Sequence, residues 1–195
     1  GVECIGTLQR DGKHLLAVLT SCTTLSRESP LSVTLVQGIS SGELMDYTLQ
    51  KAVELGVARI VPVFMKRSIV RLTDERLTRR HAHWQAVVVA ACEQCGRNHT
   101  PEVMAPTDFF NWLPTHPPGL TVLLDPEEKR GLRDLSPPTG PVTLLAGPEG
   151  GFELNERKAA LAAGATGIRL GPRVLRTETA AVAALAAMQV LWGDF

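Results

Sequence analysis

An α/β fold built on a parallel sheet is predicted by three features of this chain. Short, mostly apolar runs such as Leu120–Leu124 and Val142–Ala146 have the length and composition of strands buried on both faces. These runs alternate with segments of helical apolar spacing. Glycines such as Gly56 and Gly164 follow the periodic segments, where a helix stops.

In chain order, Leu15–Leu19 and Leu31–Val36 are β-type runs separated by a polar turn from Thr20 to Pro30. They are too little for a domain and are assigned to the end of a small β domain spanning 1–37. The chain opens on Gly1 in mid-pattern, as a fragment or the ordered part of a longer protein would. The main domain is assigned to 38–195. In it, Met45, Leu49, Ala52 and Val53 mark a first helix, and Arg59–Phe64 a strand. His83–Cys95 forms a second helix, and Leu120–Leu124 and Val142–Ala146 are strands. Leu154–Ala163 is a helix, Ile168–Leu170 a short strand, and Glu178–Trp192 the last helix. That last helix is apolar almost all round, which asks for burial on most sides: against the sheet and a second subunit, or wholly within the monomer.

Composition narrows the function. With 44% apolar and 21% charged residues the chain can fill a core, which argues against disorder. A net charge of zero excludes an indiscriminate polycation and leaves room for a local basic face. No apolar run approaches the roughly 20 residues that span a bilayer. Cys4, Cys22, Cys92 and Cys95 are read as reduced thiols of a cytosolic protein. His81, His83 and His99 lie near the Cys92/Cys95 pair, but one C-x-x-C is half a structural metal site, so no metal is assigned.

Two loops follow strands at the sheet's carboxyl edge, where α/β folds bind ligands. Gly147-Pro148-Glu149-Gly150-Gly151 has three glycines in five residues, which permits close backbone approach to a ligand and equally suits a tight turn. It matches neither the nucleoside-triphosphate loop nor the dinucleotide fingerprint. The second loop runs from Leu170 to Ala180. Its Thr177 reads as the N-cap of the last helix and Glu178 as a partner of the helix dipole. Arg176 is a cation at the end of a helix that disfavours one, and so is explained by an anionic or polar partner, or by solvent.

Together these loops resemble the RsmE family of SPOUT RNA methyltransferases. The matching segments are Gln50–Val57, Glu93–Arg97, Leu145–Phe152 and Leu170–Ala180, in the family's order and spacing. The pairing of the first loop with Gly-Pro-Arg-Val-Leu-Arg-Thr-Glu-Thr-Ala is the specific part. The resemblance implies a SPOUT fold whose C-terminal part forms a trefoil knot, a partial PUA-like β domain before it, a homodimer, and S-adenosylmethionine (SAM) as cofactor. It implies methylation of N3 of a uridine in 16S small-subunit ribosomal RNA. The alternatives are another RNA nucleoside or a non-catalytic RNA-binding or ribosome-assembly module.

Carried over residue by residue, the cofactor pocket takes Leu145, Ala146, Gly147 and Gly150 from the first loop. From the second it takes Leu170, Gly171, Leu175, Arg176, Thr177 and Thr179, with Leu123 and Leu124 at its floor. Arg176 is the candidate for stabilising developing negative charge, and Glu178 or Glu149 for accepting the proton. Arg67, Arg97 and Lys51 are the candidate RNA contacts. Arg71, Arg76, Arg79 and Arg80 extend the arginines between positions 67 and 97 to six. Trp84 is read as core, with stacking on RNA as the alternative. The chain departs from the family in having Ser40-Ser41-Gly42-Glu43-Leu44 where many members carry lysines, and no Ser or Thr cap at Phe152-Glu153-Leu154.

Overall fold

The computed structural model describes residues 1–68 and 74–195, so Arg71 lies outside the described residues. An antiparallel hairpin of β1 (Glu3–Asp11) and β2 (His14–Thr23) opens the chain. Next come β3 (Val33–Gly38), α1 (Gly42–Glu54), β4 (Arg59–Phe64) and α2 (Asp74–Cys95). The two-residue strands β5 (Glu102–Val103) and β6 (Thr107–Asp108) precede the short helix α3 (Phe109–Trp112). The chain closes with β7 (Leu120–Leu124), β8 (Val142–Ala146), α4 (Leu154–Ala162), β9 (Thr166–Ile168) and α5 (Thr177–Trp192).

The larger sheet has the order β5-β4-β3-β8-β7-β9, with β6 also on β4, and its described pairings are all parallel. Strand alternation divides its side chains between two cores. Leu35, Ile60, Val122, Leu144 and Ile168 pack with residues of α1, α2 and α5 on one face. Val36, Val61, Leu123 and Leu145 pack with Phe109, Trp112 and Ala160 on the other. Both faces are therefore covered, as the apolar runs predict.

The α1 prediction holds in detail: Met45, Leu49, Ala52 and Val53 are buried, and Gly56 takes φ +77° just past the helix. There Leu55, Gly56 and Val57 donate to the last carbonyls of α1. Helix α2 begins nine residues before the predicted start. Its first turns are mostly polar and, over Glu75–Ala82, mostly exposed, so they carry little apolar period to read. The predicted strand Ile168–Leu170 lies two residues earlier, at Thr166–Ile168.

Three expectations are corrected. The boundary at 37 fails because β3 is a central strand of the larger sheet, flanked by β4 and β8; among the described strands only those of the hairpin stand outside that sheet. The cysteines are not all free. The hairpin register sets Cys4 opposite Cys22 with Cα atoms 4.1 Å apart, and they form a disulfide, while Cys92 and Cys95 stay as thiols. Burial pushes the Cys92 thiol above its ordinary value, only partly countered by Arg97.

Arg97, expected on RNA, is a buried clamp. Its guanidinium donates to both carboxylate oxygens of Glu28 and to the carbonyls of Val53 and Val57, at 2.9 and 3.0 Å. It joins the chain entering β3 to the end of α1, with only 4% of its side chain exposed. Trp84 is likewise core, at 1% exposure. Replacing Arg97 with Ala strands the carbonyls and Glu28, and should lower unfolding free energy by about 3 kcal/mol. Urea unfolding of the variant checks this; an unchanged midpoint would return Arg97 to the list of RNA contacts.

Candidate functional site

Because β3, β7, β8 and β9 run the same way, their carboxyl ends open on one edge of the sheet. A cavity of about 600 Å³ lies there, of the size that holds a drug-sized ligand. Leu44, Leu124, Ile168, Leu170 and Leu175 give it apolar wall, and the first loop, Gly147–Gly151, gives it backbone. Asp125, Glu127, Glu149, Arg157, Arg67, Arg173, Arg176 and Glu178 contribute its charged groups.

The first loop is tightly held. A Cβ added to Gly150 would lie 2.8 Å from Cβ of Arg67, and one on Gly147 would lie 3.1 Å from the Gly151 carbonyl carbon. A side chain at Gly150 thus collides with the loop's own support. Arg67 donates to the Gly150 carbonyl at 3.0 Å. Glu149 accepts from the backbone N–H of Ser41 at 2.7 Å, which ties the loop to the start of α1. Burial pushes the Glu149 carboxyl up, but the hydrogen bonds from Ser41 and from its own backbone outweigh this and hold it below its ordinary value of 4.5. The helix that follows is capped without Ser or Thr: Glu153 accepts from Asn155 N–H, and buried Glu156 accepts from the N–H groups of Glu153 and Lys66.

The second loop approaches the first through Thr177. Its hydroxyl donates to the Gly147 carbonyl and accepts from Nε2 of Gln37. This corrects the expectation that Thr177 caps α5. The cap position falls on Arg176, whose side chain makes no cap bond. Glu178 is nine-tenths buried on the cavity wall, and its Oε2 has no protein partner. A buried acceptor left open in this way is suited to a donor on a ligand.

Of the expected cofactor residues, Ala146, Gly147, Gly150, Leu170, Leu175, Arg176 and Thr177 line the cavity. Leu123 and Leu145 do not: both are fully buried in the α3/α4 core. Their neighbours Leu124 and Ala146 reach the cavity instead, because successive side chains on a strand face opposite ways. Gly171, at φ +76°, shapes the turn, and exposed Thr179 lies outside the wall. Glu149 lines the cavity. Lys51 pairs with Glu54 at 2.8 Å on α1. His81 turns to the Val103 carbonyl and His83 to Asp46, and no metal-holding group occurs among the described residues.

Sequence reasoning missed Asp125, Glu127 and Arg157. Arg157 pairs with Asp125, with Glu127 at 2.6 Å and with Glu128 at 3.2 Å. Burial draws its guanidinium down, and the carboxylates, Glu128 foremost, more than reverse that. The signal was the place of Asp125, directly after a predicted strand's carboxyl end. Gln37 was also missed.

A parallel α/β sheet with a glycine-lined crevice at its carboxyl edge fits the RNA methyltransferase domain family, which matches residues 27–189. A ribosomal RNA small subunit methyltransferase E from Buchnera aphidicola of Schizaphis graminum is 38% identical over 168 residues, 86% of this chain and 68% of the relative. The crystal structure of such an enzyme from Neisseria gonorrhoeae, bound to S-adenosyl methionine, superposes with TM-score 0.93 at 43% identity, covering all of this chain and 81% of that one. A methyltransferase from Legionella pneumophila in complex with SAM gives TM-score 0.95 at 37% identity, with the same coverage. The chain belongs to the RNA methyltransferase domain family and, within it, to the ribosomal RNA small subunit methyltransferase E (RsmE) family.

The depressed Glu149 carboxyl has a consequence for pH. A group whose folded value lies below its unfolded one stabilises the fold above the unfolded value, and loses this as pH falls through the folded value. Glu149→Gln should therefore cost more stability at pH 7 than at pH 3. Thermal melts of both proteins across that range test it; a constant offset at every pH would mean that the Glu149–Ser41 contact does not titrate.

Proposed function

We propose that this chain transfers a methyl group from SAM to N3 of a uridine in 16S ribosomal RNA. The observation that carries the reading is the crevice between the two loops, in a chain of the RsmE family. Its residues fit the cofactor. Leucines and Ile168 suit a flat adenine ring, the glycine loop suits close backbone approach, and the open Glu178 oxygen suits an N–H donor. Bound SAM would supply an electrophilic methyl group.

Arg176 is exposed at the crevice, where a guanidinium would stabilise negative charge developing on the uracil carbonyls. Glu178 is the better candidate to receive the N3 proton, since Glu149 already accepts from Ser41. Much of the rate comes from holding the base in line. Arg67 at the crevice, with Arg76, Arg79 and Arg80 along α2, would meet phosphates, and the target base would leave its stack to enter.

The same reading includes a trefoil knot in the C-terminal part, a homodimer and a cytoplasmic setting. Helix α5 supports the dimer: Val190, Leu191 and, just beyond it, Phe195 leave apolar surface exposed. In the hairpin, Ile5, Leu8, Leu15 and Leu19 are 59–71% exposed, which supports its assignment to a PUA-like β unit that continues beyond these strands. No helix among the described residues is long and apolar enough to cross a membrane.

Methyl transfer from labelled SAM to small subunits from a strain lacking its own enzyme should yield 3-methyluridine on nucleoside digestion. Arg176→Ala and Glu178→Gln should each lower kcat about 100-fold. Gly147→Leu should abolish SAM binding. Methylation at another nucleoside would move the substrate, and unaltered SAM affinity in Gly147→Leu would move the pocket.

A further inference from the structure

The geometry points to Gln37 as a positioning residue that sets the two crevice loops against each other before the cofactor arrives; this rests on the reading of the crevice as a SAM site. Gln37 stands near the end of β3, wholly buried. Its two Nε2 hydrogens are shared among the carbonyl of Gly38 at 3.1 Å, that of Gly147 at 3.2 Å and the hydroxyl of Thr177 at 3.1 Å. The Thr177 hydroxyl in turn donates to the Gly147 carbonyl. One carbonyl of the first loop thus receives donors from the sheet and from the first turn of α5, and Gln37 and Thr177 bond each other as well.

The core does not ask for an amide here. Gln37 is in register with Pro62 on one side and Ala146 on the other, both without a polar side chain. Its Oε1 is buried with no partner, a cost that a methionine of similar length and volume would not incur. The gain lies in the three-way junction with Gly147 and Thr177, two residues that line the crevice. With that junction made, ligand binding does not have to order the loops, and the lost ordering cost appears as affinity.

Calorimetry of SAM and S-adenosylhomocysteine binding to the whole chain, with melting temperatures alongside, tests this. Gln37→Met and Thr177→Val should each weaken both ligands about tenfold, the worth of roughly one net hydrogen bond. The double variant should be little weaker than either single one, because both changes open the same junction. Thr177→Ser keeps the hydroxyl and should lose less affinity than Thr177→Val. Melting temperatures should stay close to the parent value. The inference is overturned if Gln37→Met binds as tightly as the parent, if the two losses multiply, or if affinity falls only in step with melting temperature. Failure of the unsubstituted chain to bind SAM would instead bring down the reading of the crevice, and this inference with it.

Discussion

Strand β8 is the constraint on which the rest of the structure depends. Its five residues are buried, and it pairs with β3 on one side and β7 on the other. With no water on either face, its backbone groups must be satisfied by its two neighbours. This fixes its register, and the register fixes where its carboxyl end delivers Gly147. The crevice follows: one wall begins at β8, the floor comes from the end of β7, and the opposite wall rises from the chain leaving β9.

Around that edge the polar groups fall into two kinds. Some are already committed within the protein, as Glu149 is to Ser41, Arg67 to Gly150, and Arg157 to its three carboxylates. These make the walls stiff. Others are left open, and Oε2 of Glu178 is a buried example on the cavity wall. A rigid frame with a few uncommitted groups is what positions a ligand at low ordering cost.

The sheet was legible because buried strands and capped helices write themselves locally. Val142–Ala146 is four apolar residues and Thr143 between a proline and a glycine, and Met45, Leu49, Ala52 and Val53 repeat at helical spacing. The loops were legible as well, since glycine density and the place after a strand are local facts. What could not be read was pairing over distance. Arg97 has the composition of an RNA contact, and only the fold brings Glu28, Val53 and Val57 around it. Cys4 and Cys22 are 18 residues apart, and their bond depends on a hairpin register that the sequence alone left open. The expected pocket leucines, Leu123 and Leu145, missed by one residue each, because a strand reverses its faces at every step.

Thr177 shows why a local rule can name the right residue and the wrong role. A threonine ahead of an apolar helix satisfies the capping rule, and capping would account for it fully. Yet its hydroxyl has a stronger claim on it, the Gly147 carbonyl across the crevice, and Gln37 donates to that carbonyl and to the hydroxyl itself. Helix α5 consequently starts without a side-chain cap at Arg176. A forgone cap costs about 1 kcal/mol, and the helix tolerates it because Ala181, Ala184, Leu185 and Met188 are buried against the sheet and α1. Packing further along the helix thus releases its first turn for the crevice, so the apolar stripe of α5 and the polar junction at its start act as parts of one device.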